Sequence, residues 1–192
     1  MAINLSKGAR INLGKEAPTL KNLLIKLNWE PQSRNGAEFD LDTSVFLTKL
    51  DATGAPKLVD DNHFIFYNNK TSPCGGVVHS GDDKTGAAGE EINIDLAKVN
   101  AAVEEVAFIV TIHEADARSQ NFGQVPKSSI ELLDADTGVS IARYDLEEDF
   151  STETAIEFGT LYRKDAGWAF KAVGTGHTLG LAEFVRGYGG DC

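Results

Sequence analysis

The sequence predicts an all-β chain: a β-sandwich of two antiparallel sheets with a few short helices. Three observations lead there. Apolar residues recur at every second position in several short segments, aspartate and glycine mark the reversals between them, and helical patterning is confined to two short pieces.

Taken in chain order, Ile25, Leu27 and Trp29 alternate with Lys26 and Asn28, which predicts a strand covered on one face. Residues 64–67 (FIFY) form an aromatic run of strand-forming side chains. The clearest alternation follows at 91–96, with Ile92, Ile94 and Leu96 on one face and Glu91, Asn93 and Asp95 on the other. Residues 97–103 carry a short helical signal. Residues 106–112 (VAFIVTI) are almost continuously apolar, the composition of a strand buried on both faces near the centre of a sheet. Two hairpins come next, 130–133 with 139–144 around the turn DADTG, and 155–162 with 168–173 around KDAG; each turn holds the Asp and Gly that tight reversals require. A second helical piece is expected at 181–188. No linker, repeat or low-complexity tract divides the chain, and 192 residues with 42% hydrophobic content suit one domain spanning 1–192.

The charge balance narrows the function. Asp and Glu outnumber Lys and Arg by 29 to 18, a formal net charge of −11. Such a surface disfavours nucleic acid and repels anionic lipid, while surplus carboxylates suit hard cations. No apolar run is long enough for a leader or a membrane span, so a cytoplasmic protein without direct membrane insertion is expected. Cys74 and Cys192 fit neither a disulfide framework nor a thiolate metal site and are expected as free thiols.

Acidic side chains concentrate in two segments. In Phe39-Asp40-Leu41-Asp42 the two aspartates lie two residues apart, so they share one side of an extended chain and suit a common ion. In residues 81–91 (GDDKTGAAGEE), carboxylates stand at both ends, at Asp82, Asp83, Glu90 and Glu91, and glycines such as Gly89 let backbone carbonyls turn inward. Calcium takes six to eight oxygens from such donors, whereas magnesium demands stricter octahedral geometry. The same residues read equally as solvated turns, since Asp and Gly favour turns with or without a metal. Residues 134–138 share the opening of an EF-hand loop but lack its distal glutamate and helical flanks, and read as a hairpin turn; 147–149 (EED) read as a solvated patch. His63, His79, His113 and His177 form no zinc or triad spacing. His113-Glu114 after the central strand is the one candidate general base, and supports an alternative reading as a metal-dependent hydrolase.

The strings AINLSKG, FDLDTSVFL, HFIFYNNKTSP, HSGDDKTG, FIVTIHEADARSQNFGQV, IARYDLEEDFSTETAIEFGTLYR and GWAFKAVGTG, in this order across nearly the whole chain, resemble the tellurium-resistance TerD family with its TerE-like and stress-protein paralogues. The resemblance implies a two-sheet sandwich, no established catalysis, and calcium, one or two ions, held by the acidic loops, here by Asp40, Asp42, Asp82, Asp83, Gly89, Glu90 and Glu91. It also implies a place among other Ter-type or stress-response proteins, at the inner membrane surface. Two departures stand out: the segment after Gly86 is shorter than the family's Gly-Asp-Asp-Glu ending and poorer in carboxylates, which puts a second ion in doubt, and Cys74 replaces the Asp that often follows Ser-Pro.

Overall fold

The computed structural model describes residues 2–29, 33–34, 37–81, 89–125, 127–146, 150–178 and 180–191, with the backbone alone at 33–34 and 37–38. Among them run fifteen strands: β1 (Ile3–Leu5), β2 (Arg10–Asn12), β3 (Asn22–Asn28), β4 (Ser33–Arg34), β5 (Ala37–Glu38), β6 (Leu41–Leu50), β7 (Pro56–Leu58), β8 (Phe64–Ile65), β9 (Val77–His79), β10 (Glu90–Asp95), β11 (Glu105–Ile112), β12 (Ser129–Asp134), β13 (Ser140–Asp145), β14 (Ala155–Lys164) and β15 (Gly167–His177). Three α-helical pieces, α1 (Leu13–Glu16), α2 (Ala115–Arg118) and α3 (Leu181–Gly187), and two short 3-10 turns, Asp61–His63 and Phe122–Gln124, accompany them.

The strands form a sandwich. One sheet has the order β1-β13-β12-β3-β10-β9, the other β2-β15-β14-β11-β6-β7 with β8 also on β6, and β4-β5 is a separate hairpin. Pairing is antiparallel except where β1 lies parallel to β13, Ile3 opposite Ala142. The alternating residues of β3 and β10 turn Leu23, Ile25, Leu27, Ile92 and Ile94 inward against Val106, Phe108, Val110, Phe158 and Phe170 of the facing sheet. This pleat-driven core accounts for the period-two pattern read from the sequence.

The expectation that 106–112 is covered on both faces is met, and the second cover is the C-terminal helix. On the outer side of β11, Ala107 and Ile109 join Phe46 and Ala155 beneath Phe184 and Val185 of α3, and Tyr188 stacks on Phe46 at 4.6 Å. A helix of seven residues is too short to persist by itself, so this packing holds it. Both hairpins fold as read, β12 with β13 and β14 with β15.

The helix expected at 97–103 is absent: the stretch is a pair of turns. The Asp95 carboxylate accepts from the N–H groups of Ala97 and Lys98, and Asn100 Oδ1 accepts from Ala102 N at 2.9 Å, local bonds that compete with a helix. The carbonyls of Val99, Asn100 and Val103 instead take the guanidinium of Arg163, which stacks over Trp168 at 4.0 Å.

Beyond α3 the outer face of the seven-stranded sheet carries Glu157, whose carboxyl is pushed above its ordinary range by burial, partly offset by the Thr160 hydroxyl that donates to it. A folded-state value above the unfolded one means that the native chain binds the proton more readily, so stability falls as pH rises through that range. Glu157→Gln is therefore expected to melt above the parent near pH 7, with the difference closing by about pH 4; parallel thermal melts check it, and equal melting at both pH values would contradict the burial effect.

Candidate functional site

The two acidic segments meet at the start of β6. Phe39 and Leu41 point into the core, so Asp40 and Asp42 fall on the other side, as the two-residue spacing predicts. Asp42 is 9% exposed, and its Oδ2 lies 3.5 Å from Nδ1 of His113. The His113 N–H donates to the Asp40 carbonyl at 2.8 Å, which ties the end of β11 to the entry of β6. In front of Asp42 opens a cleft of about 410 Å³ lined by Tyr67, Thr111, His113, Asp116 and Thr154.

The second segment is fastened to the same strand at both of its ends. On the leading side, Gly81 N–H donates to His79 Nδ1 at 2.9 Å, which places the ring proton on Nε2. Nε2 lies 3.1 Å from the Thr43 carbonyl. On the trailing side, Glu90 Oε2 accepts the Thr43 N–H at 2.5 Å and stands 3.7 Å from His79 Nε2. Both side chains are 1% exposed. Gly81 and Glu90, on either side of residues 82–88, are thus tied to Thr43, the neighbour of Asp42, the first through His79 and the second directly. Gly89 makes the return possible: its φ is +71°, and a Cβ there would sit 2.2 Å from the Leu27 carbonyl oxygen.

Of the sequence-derived ligands, Asp40 and Asp42 lie on the side of β6 away from the core, whereas Glu90 reaches the Thr43 N–H from the core side, with Gly89 next to it in the chain. Asp82 and Asp83 lie outside the described residues, as does 147–149. Glu91 turns to the opposite face of β10, where Lys26 Nζ holds it at 3.1 Å. Among the described residues no three His, Cys, Asp or Glu side chains cluster as a metal site. The donors present nevertheless suit a hard cation. Asp40 Oδ1 and Thr43 Oγ1 are buried oxygens without a hydrogen-bond partner among the described residues, and a buried oxygen in that state costs free energy until something binds it.

The sequence reading missed His79 and Thr43. A signal existed for the anchor at Glu90, which is in phase with Ile92 and Ile94 and therefore had to point inward. Glu90→Ala strips the acceptor from the buried Thr43 N–H, and a loss of about 1–3 kcal/mol is expected in urea unfolding. Glu90→Gln keeps an acceptor oxygen there and is expected to recover at least half of that loss; equal destabilisation by both would refute the assignment.

The residues of the hydrolase reading are differently disposed. Glu114 adopts a left-handed conformation with φ +51°, and its carboxylate meets Arg118 at 3.3 Å. His113 faces Asp42 instead. Cys74 is a free thiol, 3.4 Å from the Ser72 hydroxyl, and Cys192 is outside the described residues. No helix among the described residues is long and apolar enough to cross a membrane.

The chain is similar to known proteins over nearly its whole length. The family model described as the TerD domain matches residues 1–188. The chain is 47% identical over 192 residues to the tellurium resistance protein TerD of Serratia marcescens, with 98% of each chain covered. It is 45% identical over 193 residues to general stress protein 16U of Bacillus subtilis (strain 168), again with 98% of each covered. A solved homologue of telluride resistance protein (TerD) from Streptomyces coelicolor A3(2) superposes with a TM-score of 0.67 over 88% of this chain and 98% of the other, at 22% identity, a likeness of fold.

Proposed function

Because the chain belongs to the TerD family of tellurium-resistance and stress-response proteins, we propose that it is a calcium-binding interaction module, holding one or two ions, without catalysis of its own. The observation that carries this reading is the joint anchoring of His79 and Glu90 on Thr43, which delivers both ends of an acidic loop to the strand that bears Asp42. Asp40 and Asp42 would hold the ion with Asp82, Asp83 and the Gly89 carbonyl, oxygen donors throughout, as calcium prefers, while Glu90 keeps its place on Thr43. When bound, the ion supplies positive charge among carboxylates of a chain at −11. Glu91, held by Lys26, is not part of this set. The ordered loop would then present a surface to other Ter-type or stress-response proteins in the cytoplasm, at the inner membrane surface.

Calorimetric titration of metal-free protein with calcium and with magnesium tests the ion, its number and its selectivity together. A native-state ligand at a hundredfold excess over its Kd adds about 2.7 kcal/mol, roughly 5–10 °C in melting temperature for a chain of this length. Asp82→Asn is expected to remove most of that increase. An unchanged melting curve in saturating calcium would overturn the proposal. The hydrolase alternative rests on the His113–Asp42 contact, since Glu114 is engaged by Arg118; phosphoester turnover abolished by His113→Ala would favour it.

A further inference from the structure

The two outer faces of the sandwich are treated differently. α3 seals part of one, whereas the outer face of the six-stranded sheet carries Leu24, Leu133 and Val78 at least partly exposed, with Val78 at 38%. The strand register arranges this face in rows. One row reads Glu91–Lys26–Glu131–Arg143 across β10, β3, β12 and β13. The adjacent row on the same strands reads Asn93–Leu24–Leu133–Ser140. Lys26 bonds Glu91 at 3.1 Å, Ser140 Oγ donates to Glu131 at 2.5 Å, and Asp145 Oδ1 holds the Arg143 guanidinium at 2.7 Å.

Cross-strand charge pairs stabilise one sheet, but their order here has a second property. The row runs minus, plus, minus, plus. Turned end for end and laid face to face on itself, it meets plus, minus, plus, minus. A two-fold axis parallel to the strands, between β3 and β12, performs that operation: Glu91 meets Arg143 of a second copy, Lys26 meets Glu131, Leu24 meets Leu133, and Asn93 meets Ser140. Each contact occurs twice, as in any isologous interface. We propose that this face is the contact surface of a homodimer formed by two copies of the chain.

Charge supports a second copy as the occupant. Two chains at −11 repel at a distance, so any face on which they associate must be locally neutral and complementary. The four-residue charged row sums to zero and complements itself; Asp145, which pairs with Arg143, adds one negative charge per copy beside it. Six strands of three to seven residues, spaced by about 4.8 Å and rising about 3.4 Å per residue, give roughly 500 Å² per copy, near the lower bound for a specific interface. The dimer is therefore weak and concentration-dependent.

Sedimentation equilibrium of the intact chain, from low micromolar to near-millimolar concentration, is expected to show monomer passing to dimer. Lys26→Glu sets two glutamates face to face, and Glu131→Lys sets two lysines face to face, so each single variant is expected to weaken dimerisation at least about tenfold. An equimolar mixture of the two restores every opposite pair and is expected to dimerise as the parent does, as is the double variant. Misfolding cannot produce that rescue. A parent that stays monomeric throughout, single variants that dimerise normally, or a mixture that stays monomeric would each overturn the proposal.

Discussion

Gly89→Ala is expected to destabilise the protein by about 3 kcal/mol or more, roughly twice the cost of alanine at Gly138. Both glycines have φ +71°, so both substitutions bear the steric cost of a left-handed L-residue, about 1–2 kcal/mol. At Gly138 the added methyl meets nothing within 4 Å. At Gly89 it would lie 2.2 Å from the Leu27 carbonyl, in the ladder where Glu90 pairs with Leu27. That oxygen cannot yield without loosening β3 from β10 or lifting Glu90 from Thr43. Urea unfolding of the two variants side by side is the measurement. Equal losses would show that the close approach to Leu27 carries no energetic weight, and the anchoring of the loop would need another explanation.

The second large effect lies on the other side of β6. Phe46 is fully buried, with Phe64 stacked at 4.8 Å and Tyr188 at 4.6 Å. Phe46→Ala is expected to cost about 3–5 kcal/mol, a large share of the 5–15 kcal/mol by which domains are ordinarily stable. Because α3 relies on packing, the loss should also be local. The Tyr188 phenol is pushed up by burial, with Glu157 and Glu105 adding to it, and in Phe46→Ala its titration should move back toward the ordinary tyrosine range. Ultraviolet titration follows this directly. A Tyr188 titration unchanged in a destabilised variant would mean that α3 stays seated without Phe46.

Local patterns proved readable because they report pleat and turn geometry, which depend on near neighbours. The alternation at 91–96 located β10, and the run at 106–112 identified a strand covered twice. The failures came where distant residues decide. Nothing near 97–103 announces that Arg163 will collect its carbonyls, and nothing in the first residues shows that β1 will join β13 in parallel. At the candidate site the alternation of Asp40 and Asp42 was legible, while Asp82 and Asp83 of the other acidic segment lie outside the described residues. His79 was not legible, because its partners Thr43 and Glu90 are brought to it only by the packing of β9, β10 and β6. The difference between Glu90 and Glu91 was hidden for a related reason: the two look alike in sequence, yet a one-residue step along a strand reverses the face, and Glu91 meets Lys26 there.

β6 links two parts of the molecule that otherwise share little. Thr43 receives the loop anchors, and Phe46, three positions later and about 10 Å along the strand, lies under Tyr188. One continuous strand therefore carries both the tether of the acidic segment and the seat of the C-terminal helix, so a change that loosens β6 would reach both.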